Sequence, residues 1–218
     1  MEAHIMSDRW DAQYKAGQGR FFPNEELCRF LGRTYGPVIK APCSAMTAVE
    51  IGCGVGGNIS ALAMYGFFTY GLDSSLEALK VADEYLLTYY RQARTTKVHL
   101  LPYTAPQTTK LPANSVQLVI DVHTIQHLNE DDHVLMYKEA LRILSRGGLF
   151  FSVHWSGSRK AQEKIFPDHA ELFSSEIGNG NPVALQSIAG FTMHHYYHIL
   201  RSYQEEDGIW MVSAAVKP

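Results

Sequence analysis

Cysteine is scarce: Cys28, Cys43 and Cys53 are the only three, an odd number with no C-x-x-C pair. That argues against a disulfide framework and a thiolate zinc site, and for reduced thiols. No run of 18 apolar residues occurs, so no membrane-spanning helix is expected. The opening MEAHIMSDRW carries acids and a tryptophan where a secretory leader needs a basic start and an apolar stretch. A cytoplasmic protein is expected. Basic runs never exceed two adjacent Lys or Arg and the formal net charge is −3, which removes the electrostatic footprint of a nucleic-acid binder. Internal repeats and low-complexity tracts are missing too. What remains is ordinary globular material, 218 residues with 46% hydrophobic and 19% charged content, enough for one domain spanning 1–218.

The first 45 residues read as helical. SDRWDAQYKAG opens on Ser7 as an N-cap, and PNEELCRFLGRTYG places Pro23 and acids in a first turn, with Leu27, Phe30 and Leu31 as its apolar face. From residue 46 to 155 strands and helices alternate. AMTAVEI, FFTYGLD, KVHLL, SVQLVIDV and LFFSVHW are strand-like, while NISALAMYG, SLEALKVADEYLLTYYRQA and EDDHVLMYKEALRILS are helical. Alternation of this kind predicts an α/β protein with a mainly parallel sheet. Residues 156–183 read as helix plus loop. The remainder, 184–218, ends in two β-rich runs, MHHYYHILRSY and IWMVSAAV, around the polar turn QEEDG, which predicts an antiparallel hairpin.

VEIGCGVGGN, residues 49–58, is the most pointed local signal. A strand, a glycine turn and a helix start together present bare amides to a ligand. Gly52, Gly54 and Gly57 satisfy G-x-G-x-x-G, and Asp73 closes the next strand, where a carboxylate either receives ribose hydroxyls or caps the following helix. A nicotinamide-dependent oxidoreductase wants the same features. Three observations weigh against it: about fifty residues precede the motif, no Tyr is followed four residues later by Lys, and the closing hairpin puts an antiparallel strand into a parallel sheet.

With VEIGCGVGGN, GLDSS, LPANSVQLVIDVHTIQHL and ALRILSRGGLFFSV in place, the chain resembles the class I S-adenosylmethionine-dependent methyltransferases, chiefly those acting on small molecules. The resemblance implies a Rossmann-like seven-stranded mixed sheet, order 3-2-1-4-5-7-6 with strand 7 antiparallel and helices on both faces. S-adenosyl-L-methionine is the implied cofactor. Residues 1–45 become a lid whose Tyr14 and Arg20 close over it. Glu50, Gly52, Cys53, Gly54, Gly56, Asn58, Asp73 and Ser74 become its cradle, with Asp121 and Val122 beside them. An acid commonly follows strand 3 in the family to meet the adenine; LLPYTAPQTTKLP has none, which leaves Tyr103, Thr104 or the backbone of Ala105 to do so.

For the acceptor side, the resemblance points to the end of strand 4 and to residues 154–183. His123, His127 and His154 are the candidates for a proton-accepting base, because an oxygen or nitrogen nucleophile sheds a proton as it is methylated. A packing or capping role is the rival for His127, and alignment of the reacting atoms alone supplies much of the rate. The expected partner is a small-molecule methyl acceptor, an O, N or S nucleophile, met by a monomer or homodimer with neither metal, nucleic acid nor membrane. A non-catalytic subunit that only binds the cofactor shares the cradle and stays open as an alternative.

Overall fold

Short apolar runs separate the strands from the helices, with a glycine turn closing the first and an aspartate ending the second. The computed structural model describes residues 2–38, 43–155, 186–203 and 206–218. The helices are α1 Glu2–Lys15, α2 Glu25–Tyr35, α3 Gly57–Met64, α4 Leu76–Tyr89, α5 Arg91–Thr96 and α6 Glu130–Ile143. The strands are β1 Thr47–Ile51, β2 Phe68–Asp73, β3 Val98–Pro102, β4 Val116–Val122, β5 Leu144–Trp155, β6 Thr192–Tyr203 and β7 Glu206–Val216. They form one sheet of order β3-β2-β1-β4-β5-β7-β6, the Rossmann-like order implied above. β2 is parallel to β1 and β3, whereas β7 runs antiparallel to β5 and β6.

The described chain divides into two compact units, Met1–Thr104 with Val116–Ile120, and Ala105–Ser115 with Asp121–Pro218. In the first, Leu27, Phe30 and Leu31 are buried as the period of α2 requires. Asn24, not a residue of the first turn, caps that helix by accepting from the amides of Glu26 and Leu27, so Pro23 lies outside it. Ser7 likewise sits inside α1 rather than at its start. The expected helix over 75–93 is broken at Tyr90, whose φ of −134° leaves helical space. Cys53, Ile59, Leu79, Leu86 and Val98 make a core that α3 and α4 close over β2 and β3.

In the second unit Asn129 caps α6, and Tyr137 packs edge-on against Phe150, which meets Phe191. β5 starts at Leu144, earlier than the sequence suggests, because Gly147 and Gly148 extend the ladder to Lys217 with bonds of 2.9 and 3.0 Å. The expected insert over 156–183 lies outside the described residues, as do the side chains of Trp155, His195 and His198.

Glu139 fastens the segment ahead of β4. Its Oε1 accepts from the Thr109 amide at 2.7 Å and hydroxyl at 2.6 Å, and its Oε2 accepts from Arg142 Nε at 2.7 Å. Arg142 also donates to the Leu111 carbonyl at 2.8 Å. Burial alone raises the Glu139 carboxyl, but the bonds from Arg142 and Thr109 outweigh it and hold the group below its ordinary value. Its contribution is therefore present above the unfolded value of about 4.3 and fades as pH falls through the lower folded value. Glu139→Gln is expected to cost about 1–3 kcal/mol in urea unfolding at neutral pH, with the deficit shrinking below about pH 4. An unchanged midpoint at pH 7 contradicts this role.

Candidate active site

In the first unit, Gly52, Gly54 and Gly56 follow β1 at φ of +69°, +50° and +87°, left-handed values that glycine takes at little cost. The turn is pinned to the neighbouring strand. Gly52 and Cys53 both donate to the Leu72 carbonyl, at 2.7 and 2.9 Å. Gly54 donates to Asp73 Oδ2 at 2.8 Å, and Ser75, which caps α4, donates to Asp73 Oδ1 at 2.9 Å. Burial pushes the Asp73 carboxyl up; the amides of Ser75, Gly54 and Ser74 oppose that, and Asp11 adds to it. A carboxylate has about four lone-pair sites, so acceptor capacity remains on a group that already orders the turn.

Glu50, 1% exposed, accepts from Asn58 Nδ2 at 2.7 Å. Asn58 Oδ1 in turn accepts from the Asn24 amide at 2.8 Å, so this amide side chain spends itself linking β1, α3 and the start of α2. Tyr14 reaches the same place from α1. Its hydroxyl lies 3.0 Å from where a Cβ on Gly54 would be, and its phenol is raised by burial first and then by Asp73, Cys53 and Glu50. Asp11, one turn earlier, accepts from the Ser75 hydroxyl and from the Glu77 amide, which ties α1 to the start of α4. Asp11 belongs to no sequence motif, and Ser75 ends GLDSS without any local sign of its bond to α1.

Other predicted residues take different positions. The Arg20 side chain is exposed; what reaches the turn is its backbone carbonyl, 2.3 Å from a Cβ built on Gly57, with the Phe22 carbonyl at 2.9 Å. These oxygens face the first turn of α3, where a pyrophosphate would need amides, and so disfavour a dinucleotide. Gly56 packs on α4, since its Cβ would meet Ala82 at 3.3 Å. Cys53 is buried, with its thiol pushed up by that burial. Ser74 and Thr104 are half-buried, and the Tyr103 amide bonds the Asp73 carbonyl at 2.8 Å, drawing the exit of β3 to the end of β2.

The second unit holds its own polar chain. Asp121 is fully buried, and Oδ1 accepts from the amides of Thr124 at 3.1 Å and Ile125 at 3.0 Å. Oδ2 accepts from the Ser152 hydroxyl at 2.8 Å. Ser152 lies 2.8 Å from His154 Nδ1, and burial followed by the adjacent His133 lowers His154 to about 3. Asp121 is raised to about 6 by burial, against the pull of its three donors. Ser152 was missed in the sequence, although strand period puts it on the same face of β5 as His154. Val122 and Ala105 are half-buried. His123, at φ +66°, sets its ring edge-on to Trp210 with centroids 4.5 Å apart, and its amide bonds the Val153 carbonyl. His127 ends a single 3-10 turn, Ile125–His127, half-buried.

A family model described as a methyltransferase domain matches residues 49–152, from the glycine turn to Ser152. Over that stretch the chain is similar to the class I S-adenosylmethionine-dependent methyltransferases, whose sheet order it shares. This methyltransferase is accordingly an enzyme whose cofactor is S-adenosylmethionine. The first unit's acceptor set suits that cofactor: Asp73 keeps capacity for hydroxyl donors, and Glu50 is an acid beside the turn. The fold is shared with solved structures. One, described as converting a disulfide bond into a thioacetal during echinomycin biosynthesis, is 17% identical at a TM-score of 0.71, covering 96% of this chain and 92% of that one. Geranyl diphosphate C-methyltransferase from Streptomyces coelicolor A3(2), solved with Mg2+, geranyl diphosphate and S-adenosyl-L-homocysteine, is 15% identical at 0.68, covering 88% and 79%. The YcgJ protein from Bacillus subtilis is 13% identical at 0.68, covering 89% and 99%. No curated protein sequence matches the methyltransferase. No helix among the described residues is long and apolar enough to cross a membrane.

Asp73→Ala is expected to weaken S-adenosylmethionine binding about tenfold or more in a calorimetric titration, since hydrogen bonds to a charged group contribute about 1.5–3 kcal/mol each. Wild-type affinity would place the ribose elsewhere.

Proposed function

We propose that the protein transfers a methyl group from S-adenosylmethionine to an oxygen, nitrogen or sulfur atom of a small molecule, its two units acting as one methyltransferase domain. The buried chain Asp121–Ser152–His154 is the observation that carries the heteroatom assignment, because a neutral imidazole oriented through Nδ1 suits an acceptor that must lose a proton. When bound, the cofactor supplies a methyl group on a positively charged sulfur that departs as a neutral thioether. The chain's own residues do the rest. Asp73 receives ribose hydroxyls, Glu50 faces the ammonium group, Gly52 and Gly54 let the ligand lie against the backbone, and Tyr14 covers it. Thr104 and Ala105 border the adenine.

His154 is the base of choice among the three histidines. His123 spends its ring on Trp210, and His127 terminates a turn. A small acceptor fits the net charge of −3 and the absence of basic runs. It also agrees with the geranyl diphosphate enzyme of the same fold, solved with a small-molecule ligand. We assign the protein to the cytoplasm, as a monomer or homodimer.

The test is a metabolite pool incubated with methyl-labelled S-adenosylmethionine, with product identification by mass. A labelled small molecule bearing an O-, N- or S-methyl group is expected; label confined to RNA or to carbon contradicts the proposal. With the acceptor in hand, His154→Ala is expected to lower kcat by about 10²–10⁴-fold while cofactor affinity stays within about twofold. An unchanged kcat removes His154 from the chemistry.

A further inference from the structure

We propose that Asp121, Ser152 and His154 form a proton relay: His154 Nε2 takes the proton that the methyl acceptor gives up, and the Asp121 carboxylate finishes the step protonated. This rests on the methyltransferase reading above and narrows its acceptor to one that attacks through an O–H, N–H or S–H group.

Ser152 Oγ stands 2.8 Å from Asp121 Oδ2 and 2.8 Å from His154 Nδ1, yet a hydroxyl carries a single proton. While Asp121 is ionised it can only accept, so the hydroxyl proton points to Oδ2. Nδ1 must then be the donor to Oγ, because two lone pairs facing each other at that distance repel. His154 is thereby fixed as the Nδ1–H tautomer, and Nε2 bears a lone pair. That nitrogen is buried, in a side chain only 2% exposed, with no hydrogen-bond partner among the described residues. Such atoms are rare in native interiors and mark places where something else is received.

The same bonds also define a second state. Asp121 Oδ1 is committed to the amides of Thr124 and Ile125, so a proton added to the carboxyl goes to Oδ2. It donates to Ser152 Oγ, the hydroxyl turns to His154 Nδ1, and Nε2 becomes the N–H. Each heavy-atom contact is kept; only the direction of donation reverses. Neither state contains an imidazolium, which the surroundings disfavour. Burial and the neighbouring His133 hold His154 down to about 3, whereas burial raises Asp121 to about 6, so a proton entering at Nε2 comes to rest on Asp121.

The groups packed around the chain support this order. From α6 come His133 and Tyr137. Burial disfavours a charged His133 despite the carbonyls of Ile125 and Leu128 and the carboxylate of Asp132. The Tyr137 phenol is raised by burial, then by Asp121, with Gln186 opposing. From β7, Met211 stands opposite His154 in the ladder and is apolar. In the reaction the acceptor's electron pair forms the new bond to carbon, and the carbon–sulfur pair stays on sulfur. The acceptor proton passes to Nε2, the Nδ1 proton to Oγ and the hydroxyl proton to Oδ2. One positive and one negative charge disappear together, and Asp121 returns its proton to solvent before the next turnover.

The test is two-bond 1H–15N correlation spectroscopy of the full-length, cofactor-free protein, with His154 assigned among the ten histidines through His154→Gln. At pH 8 the Nδ1–H tautomer is expected. It should give way to the Nε2–H tautomer with a midpoint near pH 6 and no imidazolium signature down to pH 5. Asp121→Asn, whose amide must donate to Oγ, should show the Nε2–H tautomer across the whole range. In turnover it should lower kcat about as far as His154→Ala. The Nε2–H tautomer in the wild type at pH 8, an imidazolium formed near pH 6, or wild-type kcat in Asp121→Asn overturns the relay. The wild-type titration decides even if the variant fails to fold. Because the spectra require neither cofactor nor acceptor, they separate a failed relay from a failed methyltransferase assignment.

Discussion

A single carboxylate organises the glycine turn of the first unit. Asp73 accepts the Gly54 amide on one oxygen and the Ser75 amide on the other, so the glycine turn after β1 and the start of α4 are both fixed by one side chain at the end of β2. The arrangement works because Asp73 is only 8% exposed, where each amide bond meets weaker competition from water. The turn can then hold three left-handed glycines in one conformation. α1 closes the same knot, since Asp11 bonds the hydroxyl and amide groups at the start of α4 while Tyr14 rests against Gly54. The donors and acceptors of the turn are thus fixed before any ligand binds, the economy expected of a preorganised site.

A second aspartate uses the same device for a different end. Asp121 also closes a strand and also binds the amides just beyond it, but its remaining oxygen turns inward to a serine and, through it, to a histidine. Asp73 keeps acceptor capacity for a ligand. Asp121 keeps a place for a proton. In the proposed reaction the first carboxylate serves binding and the second takes up the proton.

Much of this was legible in the sequence because the signals were local. The glycine turn and Asp73 lie within 22 positions of one another, and strand–turn–helix alternation needs no distant partner to be recognised. The closing hairpin was legible from its two β-rich runs, although β6 and β7 extend closer together than the polar turn suggested, with Tyr203 opposite Glu206. What sequence could not carry were roles decided by packing. Gly56 resembles its neighbours in the motif but fits α3 to α4; Asn58 looks like a ligand contact but spends both ends of its amide inside the protein. Arg20 contributes a carbonyl rather than a guanidinium. The Asp121–Ser152 pairing joins residues 31 apart in sequence, and no periodicity within either strand foretells a register between them.

The central claim is that Asp73 and the turn it holds seat the adenosyl cofactor. The most direct measurement is a crystal structure of the protein with S-adenosyl-L-homocysteine. The account predicts both ribose hydroxyls within hydrogen-bond distance of the Asp73 carboxylate, with the Gly54 amide bond retained. A ribose bound away from Asp73, or a turn that abandons that carboxylate to admit the ligand, would contradict it.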